Sequence, residues 1–371
     1  SFFPIMTYCD NRELRKEVYT AFCTRASDQG PNAGDFDNTE VMEEILKLKL
    51  ELAKLLDFNN YSELSIATKM ASSTDEVVGF LNDLADKSIE QGKDEYVELK
   101  KYAKDELKLD SVEAWDSGYV SEKLRQHKYS ISQEELRPYF AADRVVSGMF
   151  EIVNKLFGIS VEQTSEFNSY HDDVRFYHVK KDGKHIASFY LDLFARAHKR
   201  GGAWMDDCRA RMIVEGELQL PVAYLTCNFT GPVGDKPALL THNEVTTLFH
   251  EFGHGIHHML TQIDVLSVSG INGVAWDAVE LPSQFLENWV WEKEGLDIIA
   301  EHFETGEKIP QEMIDKLLAA KNFNSATAML RQLQFGLFDF RLHTEYGTDS
   351  YKGIQQTLDD VRSKVSVAPT P

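Results

Sequence analysis

Residues 241–260, THNEVTTLFHEFGHGIHHML, carry the strongest structural pattern in the chain. Thr241 followed by Glu244 has the spacing of a capping box, which predicts that a helix begins here. Apolar residues then spread over much of the helix circumference and predict a largely buried helix: Val245, Leu248, Phe249, Phe252 and Ile256. Gly253 lowers helix propensity by about 1 kcal/mol, so its presence suggests that another backbone or a ligand passes close to it.

Within this helix, His250, Glu251 and His254 form the pattern HExxH. Residues four apart lie on one face of a helix, so both imidazole rings can reach one metal ion. Glu251 projects about 100° away from His250 and can lie beside the ion without binding it. A catalytic zinc usually has three protein ligands and one open position for water, so a third ligand is needed. On spacing alone, Asp277 and Glu280 are both candidates.

The rest of the chain predicts two helical parts around a small β-rich insert. Helical periodicity extends over about the first 160 residues, and one stripe is especially regular: Val41, Ile45, Leu48, Leu52 and Leu55. Ser73 followed by Glu76 predicts another helix start. Strand patterns occupy residues 174–180, 185–193 and 219–229, with Asp182-Gly183 as a turn between the first two. We therefore expect a helical region over residues 1–172 and a catalytic region over 173–371, with the β insert at 173–230.

Composition excludes several classes of protein. Asp and Glu number 60 and Lys and Arg number 39, giving a formal charge of −21, which disfavours nucleic acid as a partner. No apolar run reaches the roughly 20 residues of a membrane span. The 4 cysteines form no CxxC pair, which favours free thiols in a reducing compartment and hence the cytoplasm.

Two motifs together resemble a known family. Residues 249–255, FHEFGHG, followed by residues 279–284, VELPSQ, are similar to the paired motifs of the thimet oligopeptidase family of zinc peptidases. The likeness extends to YLDL at 190–193, RGGAW at 200–204 and LRQLQFGLFD at 330–339. It implies that His250, His254 and Glu280 bind one zinc ion per chain and that Glu251 is the general base. The resemblance therefore favours Glu280 over Asp277, which spacing does not separate.

The resemblance also implies a fold and a reaction. We expect a mainly α, zincin-type helical core with a small β-rich insert, and zinc-dependent endopeptidase cleavage of short peptides by a monomer. The family pairs its substrate with a strand that resembles residues 221–229, so substrate contacts are expected at Ala223, Tyr224 and Leu225. His257 shares the face of the metal ligands and could contact substrate, although a packed histidine is the commoner outcome. Ser283 and Gln284 could hydrogen-bond the ligands.

One departure from the family pattern bears on activity. The family carries a later segment rich in glycine and tyrosine that binds substrate, and the chain ends at residue 371 before such a segment. The resemblance also places the first residue in the middle of the family sequence. We therefore expect a fragment that binds zinc and cleaves peptides poorly. The alternatives are a peptidyl-dipeptidase with the same core, and a peptide-binding zinc scaffold without catalysis.

Overall fold

The computed structural model describes residues 2–370. Contacts within the chain define two compact units. Unit 1 comprises Ser1–Ser130 and Ala319–Pro371, and unit 2 comprises Ile131–Leu318. The boundary predicted between residues 172 and 173 falls inside unit 2, because Phe150, which precedes it, packs against Tyr177 and Phe189, which follow it.

Helices form most of the regular structure, as the sequence predicts. In chain order they are α1 (Phe2–Tyr8), α2 (Arg12–Cys23), α3 (Thr39–Leu55), α4 (Tyr61–Ile66), α5 (Thr74–Asp105), α6 (Ser117–Tyr129), α7 (Gln133–Leu136), α8 (Ala142–Phe157), α9 (His242–Met259), α10 (Leu281–Glu287), α11 (Lys293–Ile299), α12 (Gln311–Ala319), α13 (Ser325–Glu345) and α14 (Ile354–Val365). Within the described residues, each helix is either too short or too polar to cross a lipid bilayer.

Unit 1 is built from helices packed around apolar clusters. The predicted start of α5 is confirmed, because the Ser73 hydroxyl accepts a hydrogen bond from the Glu76 backbone N–H at 3.1 Å. The core between α5, α13 and α14 is apolar: Ala85, Leu330, Leu333, Leu337, Val361 and Val365. The regular stripe on α3 is different, because its five apolar side chains are between 46% and 80% exposed.

Unit 2 contains a small mixed sheet. Its strands are β1 (Ile159–Thr164), β2 (Arg175–Lys181), β3 (Lys184–Phe194), β4 (Trp204–Arg209), β5 (Met212–Val214), β6 (Glu217–Gln219) and β7 (Val222–Phe229). The five-stranded sheet has the order β1-β2-β3-β7-β4, and β5 and β6 form a separate hairpin. Strands β3 and β7 are parallel, whereas the other neighbours in this sheet are antiparallel.

The β-rich insert is confirmed, although it is larger than predicted. The three predicted strands correspond to β2, β3 and β7, and the turn at Asp182-Gly183 has positive φ at both residues. Strand β1 lies before the predicted start of the insert at residue 173, and β4 was not predicted. Both of these strands lie at the edges of the sheet.

Aromatic rings fix α8 and α9 on one face of the sheet. Phe252 of α9 lies 5.4 Å from Phe189 of β3 and 5.9 Å from Phe150 of α8, measured between ring centroids. Gly255 provides a second close contact, since a Cβ atom there would lie 3.0 Å from the Leu225 side chain of β7. These contacts place Phe252 and Gly255 of α9 against the sheet.

Candidate metal centre

The helix that carries HExxH begins where the sequence predicts. The Thr241 hydroxyl accepts a hydrogen bond from the Glu244 N–H at 3.2 Å, and the Glu244 carboxylate accepts one from the Thr241 N–H at 2.8 Å. This reciprocal capping box satisfies backbone donors that a helix start leaves free. Helix α9 then continues without interruption through His250 and His254.

Three side chains converge at one point beside α9. The Nε2 atoms of His250 and His254 lie 3.2 Å and 3.1 Å from the same carboxylate oxygen of Glu280. One ligand atom from each of the three residues lies within 4.8 Å of the others. The exposed competitor Asp277 is not part of this group.

Glycine allows α10 to bring Glu280 to this point. A Cβ atom on Gly253 would lie 2.6 Å from both the Pro282 carbonyl oxygen and the Ser283 Cα. The first turn of α10 therefore passes directly against α9, which is the close approach of another backbone that the sequence suggested. Glu280 is the residue immediately before α10 and so lies at this crossing.

Further hydrogen bonds hold the converging side chains. The Nδ1–H of His250 donates to the Glu287 carboxylate at 2.7 Å, which leaves the Nε2 lone pair directed at the group. The buried Ser283 hydroxyl donates to the Glu280 carboxylate at 2.8 Å. The Gln284 backbone N–H donates to the backbone carbonyl oxygen of Glu280, so a hydrogen bond from the Gln284 side chain to a ligand stays a prediction. Sequence reasoning missed Glu287, although its position seven residues after Glu280 puts both on one side of a helix.

Glu251 is buried beside the group and does not belong to it. Burial raises its pKa to about 7, while the charge on His250 opposes this rise and that on Glu280 adds to it. The backbone N–H of Met205, on β4, interacts with the same carboxyl group and lowers its pKa. Burial likewise lowers the pKa of His254, which favours the neutral ring that a metal requires.

His257 lies near the three-residue group without joining it. Its ring lines a cavity of about 490 Å³ together with residues that include Ile256, Leu260 and Val268. Burial lowers the pKa of its imidazole. A substrate contact by His257 stays a prediction.

The sheet order bears on the expected substrate pairing with β7, and substrate contacts by Ala223, Tyr224 and Leu225 stay predictions. This strand is bonded to β3 on one side and to β4 on the other, so its backbone is already used. Ala223 and Leu225 are buried, and the Tyr224 ring stacks on Tyr190 with centroids 5.0 Å apart. The free edge nearest α9 belongs to β4, because within residues 2–370 it pairs with β7 alone.

The donor set fits a zinc ion. Two imidazole nitrogens and one carboxylate oxygen are a usual ligand set for catalytic zinc, and three protein ligands leave a fourth position open. Tetrahedral zinc with bonds of about 2.0–2.2 Å holds its ligand atoms roughly 3.3–3.6 Å apart. The nitrogen–oxygen separations of 3.1 Å and 3.2 Å need only a small adjustment to meet this spacing.

Comparison with known proteins gives the family. The model of peptidase family M3 matches residues 5–371, and the chain belongs to this family. The family resemblance seen in the sequence is thereby confirmed.

Particular relatives extend this result. Oligopeptidase A of Haemophilus influenzae is 57% identical over 99% of this chain and 54% of its own length. Oligopeptidase A of Escherichia coli is 56% identical over 100% of this chain and 55% of its own length. Dipeptidyl carboxypeptidase of Salmonella typhimurium is 33% identical over 92% of this chain and 49% of its own length. The chain thus spans about half the length of these curated relatives.

Proposed function

We propose that this chain hydrolyses peptide bonds in short peptides, using one zinc ion held by His250, His254 and Glu280 in a zincin-type core. The observation that carries the proposal is the buried carboxyl group of Glu251, adjacent to the three converging ligands and separate from them. Membership of peptidase family M3 and the likeness to oligopeptidase A support the same reaction.

The chemistry divides between the ion and Glu251. Zinc bound at this group would polarise the scissile carbonyl and lower the pKa of water toward neutrality. Glu251 accepts the proton of the attacking water and later donates it to the nitrogen of the leaving amine, so that its carboxyl group returns to the starting state. A pKa that burial raises to about 7 suits a group that takes up and releases a proton near neutral pH.

The supporting residues keep the ligands in the required protonation state. Glu287 accepts the Nδ1–H of His250, so that the proton stays on the nitrogen remote from the ion. Ser283 donates to Glu280 and limits the rotation of its carboxylate. Both contacts reduce the reorganisation that the side chains would need when an ion binds.

Peptide binding is proposed at the free edge of β4. An unpaired strand edge offers N–H and C=O groups that can bond the backbone of an extended peptide with little dependence on its sequence. This strand also approaches the catalytic residues, because the Met205 N–H interacts with Glu251. A peptide paired there would lie alongside the three converging ligands.

The experiment uses the 371-residue chain and a quenched fluorescent short peptide. Zinc is removed with a chelator, added back and quantified, and cleavage is measured at each step. We expect one zinc per chain and cleavage that disappears with chelator and returns with zinc. Failure of the folded chain to take up zinc would overturn the proposal.

The same samples distinguish the proposed reaction from two alternative functions. The likeness to dipeptidyl carboxypeptidase favours, as a second candidate, removal of dipeptides from C-termini. Mass spectrometry of the products distinguishes internal cleavage from dipeptide release, and a peptide amidated at its C-terminus sharpens the test. A zinc-loaded chain that binds the peptide without cleaving it would instead be a peptide-binding scaffold.

A further inference from the structure

His258 is a fully buried histidine in the last turn of α9 that the proposed reaction does not use. Both of its ring nitrogens are occupied. Nε2–H donates to the backbone carbonyl oxygen of Arg209 at 2.8 Å, and Nδ1 accepts from the backbone N–H of Ile271 at 3.4 Å. The ring is therefore neutral with its proton on Nε2, and it links α9 to two other backbone segments.

The first segment is the edge strand β4, which ends at Arg209. Met205, on the same strand, interacts with Glu251, so β4 meets α9 at two points. Residues 205 and 209 are about 13 Å apart along a strand, and residues 251 and 258 are about 10 Å apart along a helix. Glu251 and His258 also lie on one face of the helix because they are seven residues apart. The strand accordingly runs alongside α9 between these two points.

The second segment is the loop that leads from α9 to Glu280. Gly270 has φ of +64°, and a Cβ atom there would lie 2.5 Å from the His258 Nδ1 and 3.0 Å from the His258 carbonyl oxygen. The same loop reaches β4 directly, since the Asn272 amide donates to Asp207 at 3.5 Å. The ring of His258 thus fills the junction between α9, the loop and the edge strand.

We propose that His258 is a positioning residue for peptide binding: it fixes the C-terminal end of β4 so that the free edge of the strand stays aligned with the catalytic residues of α9. This inference rests on the proposed function, because it assumes that the peptide pairs with β4. It assigns His258 no contact with substrate or metal. Its effect should fall on peptide affinity rather than on zinc binding.

The test compares His258→Leu, which removes both hydrogen bonds, with His258→Gln, whose amide can donate to Arg209 and accept from Ile271. Gly270→Ala is an independent variant that retains His258 and pushes the loop away from its ring. Leu296→Ala is the control for lost stability, because Leu296 is buried in unit 2 on α11, a helix that packs against α8.

Three quantities are measured: hydrogen exchange over residues 204–209 and 269–273, zinc per chain, and affinity for the quenched peptide in a Glu251→Gln background that does not cleave it. For His258→Leu and Gly270→Ala we expect faster exchange in both segments, unchanged zinc content and about tenfold weaker peptide binding, the size expected for the loss of one or two hydrogen bonds. His258→Gln should recover affinity to within about threefold of the parent.

The inference is overturned if His258→Leu changes exchange and affinity no more than Leu296→Ala does, or if it releases zinc in parallel with peptide. If the proposed function itself is wrong, the result differs from the one that overturns the role of His258. If the parent chain binds neither zinc nor peptide, exchange over residues 204–209 alone decides whether His258 holds the strand.

Discussion

Helices α9 and α3 differ in which kinds of side chain they bury and expose. Helix α9 buries polar side chains, among them His242, Glu251 and His258. Helix α3 exposes a regular apolar stripe that includes Leu48 and Leu52. Both helices carry apolar residues at helical spacing, but those of α9 spread over much of its circumference whereas those of α3 form one stripe. The α3 stripe shows that spacing specifies which residues share a face, whereas the surrounding elements decide what covers that face.

His242, Glu251 and His258 of α9 are each buried with at least one polar partner, although Nδ1 of His242 has none. His242 donates from Nε2 to the Val290 carbonyl oxygen at 2.8 Å, and His258 is bonded at both ring nitrogens. Glu251 has the Met205 N–H as a neighbour. Because a buried polar group without a partner is destabilising by about 1–3 kcal/mol, these contacts are required for the helix to be stable where it lies.

The largest expected effect in this comparison is on the chemistry of α9. Glu251→Gln keeps the volume of the side chain and removes its ability to accept a proton. We expect cleavage of the quenched peptide to fall by about 10² to 10⁴-fold, the usual contribution of a general base. Turnover per bound zinc is the quantity to measure.

Zinc content and thermal stability of this variant serve as controls and should stay at the parent values. A variant that loses zinc as well as turnover would assign Glu251 to the metal rather than to the proton transfer. Retained turnover would show that the reaction uses a different base.

A second prediction concerns how the buried His242 of α9 makes the free energy of unfolding depend on pH. Burial lowers the pKa of His242 to about 4, from an ordinary value of 6.5. The unfolded chain therefore binds a proton at this position in a pH range where the folded chain does not. Stability from the neutral ring is complete above the unfolded pKa and is lost as the pH falls toward 4. From about pH 7 to about pH 5 the loss should be about 2 kcal/mol.

Denaturant unfolding of the metal-free protein at several pH values measures this loss. His242→Gln is the matched variant, and the free energy of unfolding of the parent should fall more steeply with acid than that of the variant. The raised pKa of Glu251 acts with the opposite sign but is present in both proteins, so the difference isolates His242. Parallel pH profiles would contradict a neutral buried ring.

Particular residues show what the sequence could predict. The start of α9 at Thr241 and the shared face of His250 and His254 depend on spacings within one helix, so they could be predicted. The choice of Glu280 required a family resemblance, because its approach depends on how α10 crosses α9 at Gly253. The same crossing brings Glu287 to His250, and no local sequence pattern predicts this contact.

The sheet shows the same limit. The residues of β7 were predicted to be a strand, which is confirmed, but a strand pattern does not reveal its neighbours. Parallel pairing with β3 and antiparallel pairing with β4 put β7 inside the sheet. The edge strand on this side of the sheet is β4. Its six residues show no strong alternation of apolar and polar side chains, so the sequence did not predict a strand there. Strand order depends on contacts between distant segments, and single-sequence patterns do not contain it.

A third, smaller effect tests the support of the metal ligands. Glu287→Gln retains a hydrogen-bond acceptor for the Nδ1–H of His250 and removes its negative charge. We expect zinc affinity to fall by about 10 to 100-fold, as is usual when the partner of a metal-bound histidine is changed. Competition with a chelator of known affinity measures the change. Unchanged affinity would mean that the 2.7 Å contact does not persist once an ion is bound.

The smallest effect is expected on α3. Leu48→Ala removes an apolar side chain that is 52% exposed, and we expect a change of less than about 0.5 kcal/mol in the free energy of unfolding. Leu46→Ala on the same helix is the matched control, because Leu46 is buried and its truncation should be destabilising by about 2–4 kcal/mol. Equal losses at the two positions would show that the stripe is covered in solution. Repeating the denaturant unfolding at several protein concentrations then identifies the cover, since only a second copy of the chain makes the loss at Leu48 depend on concentration.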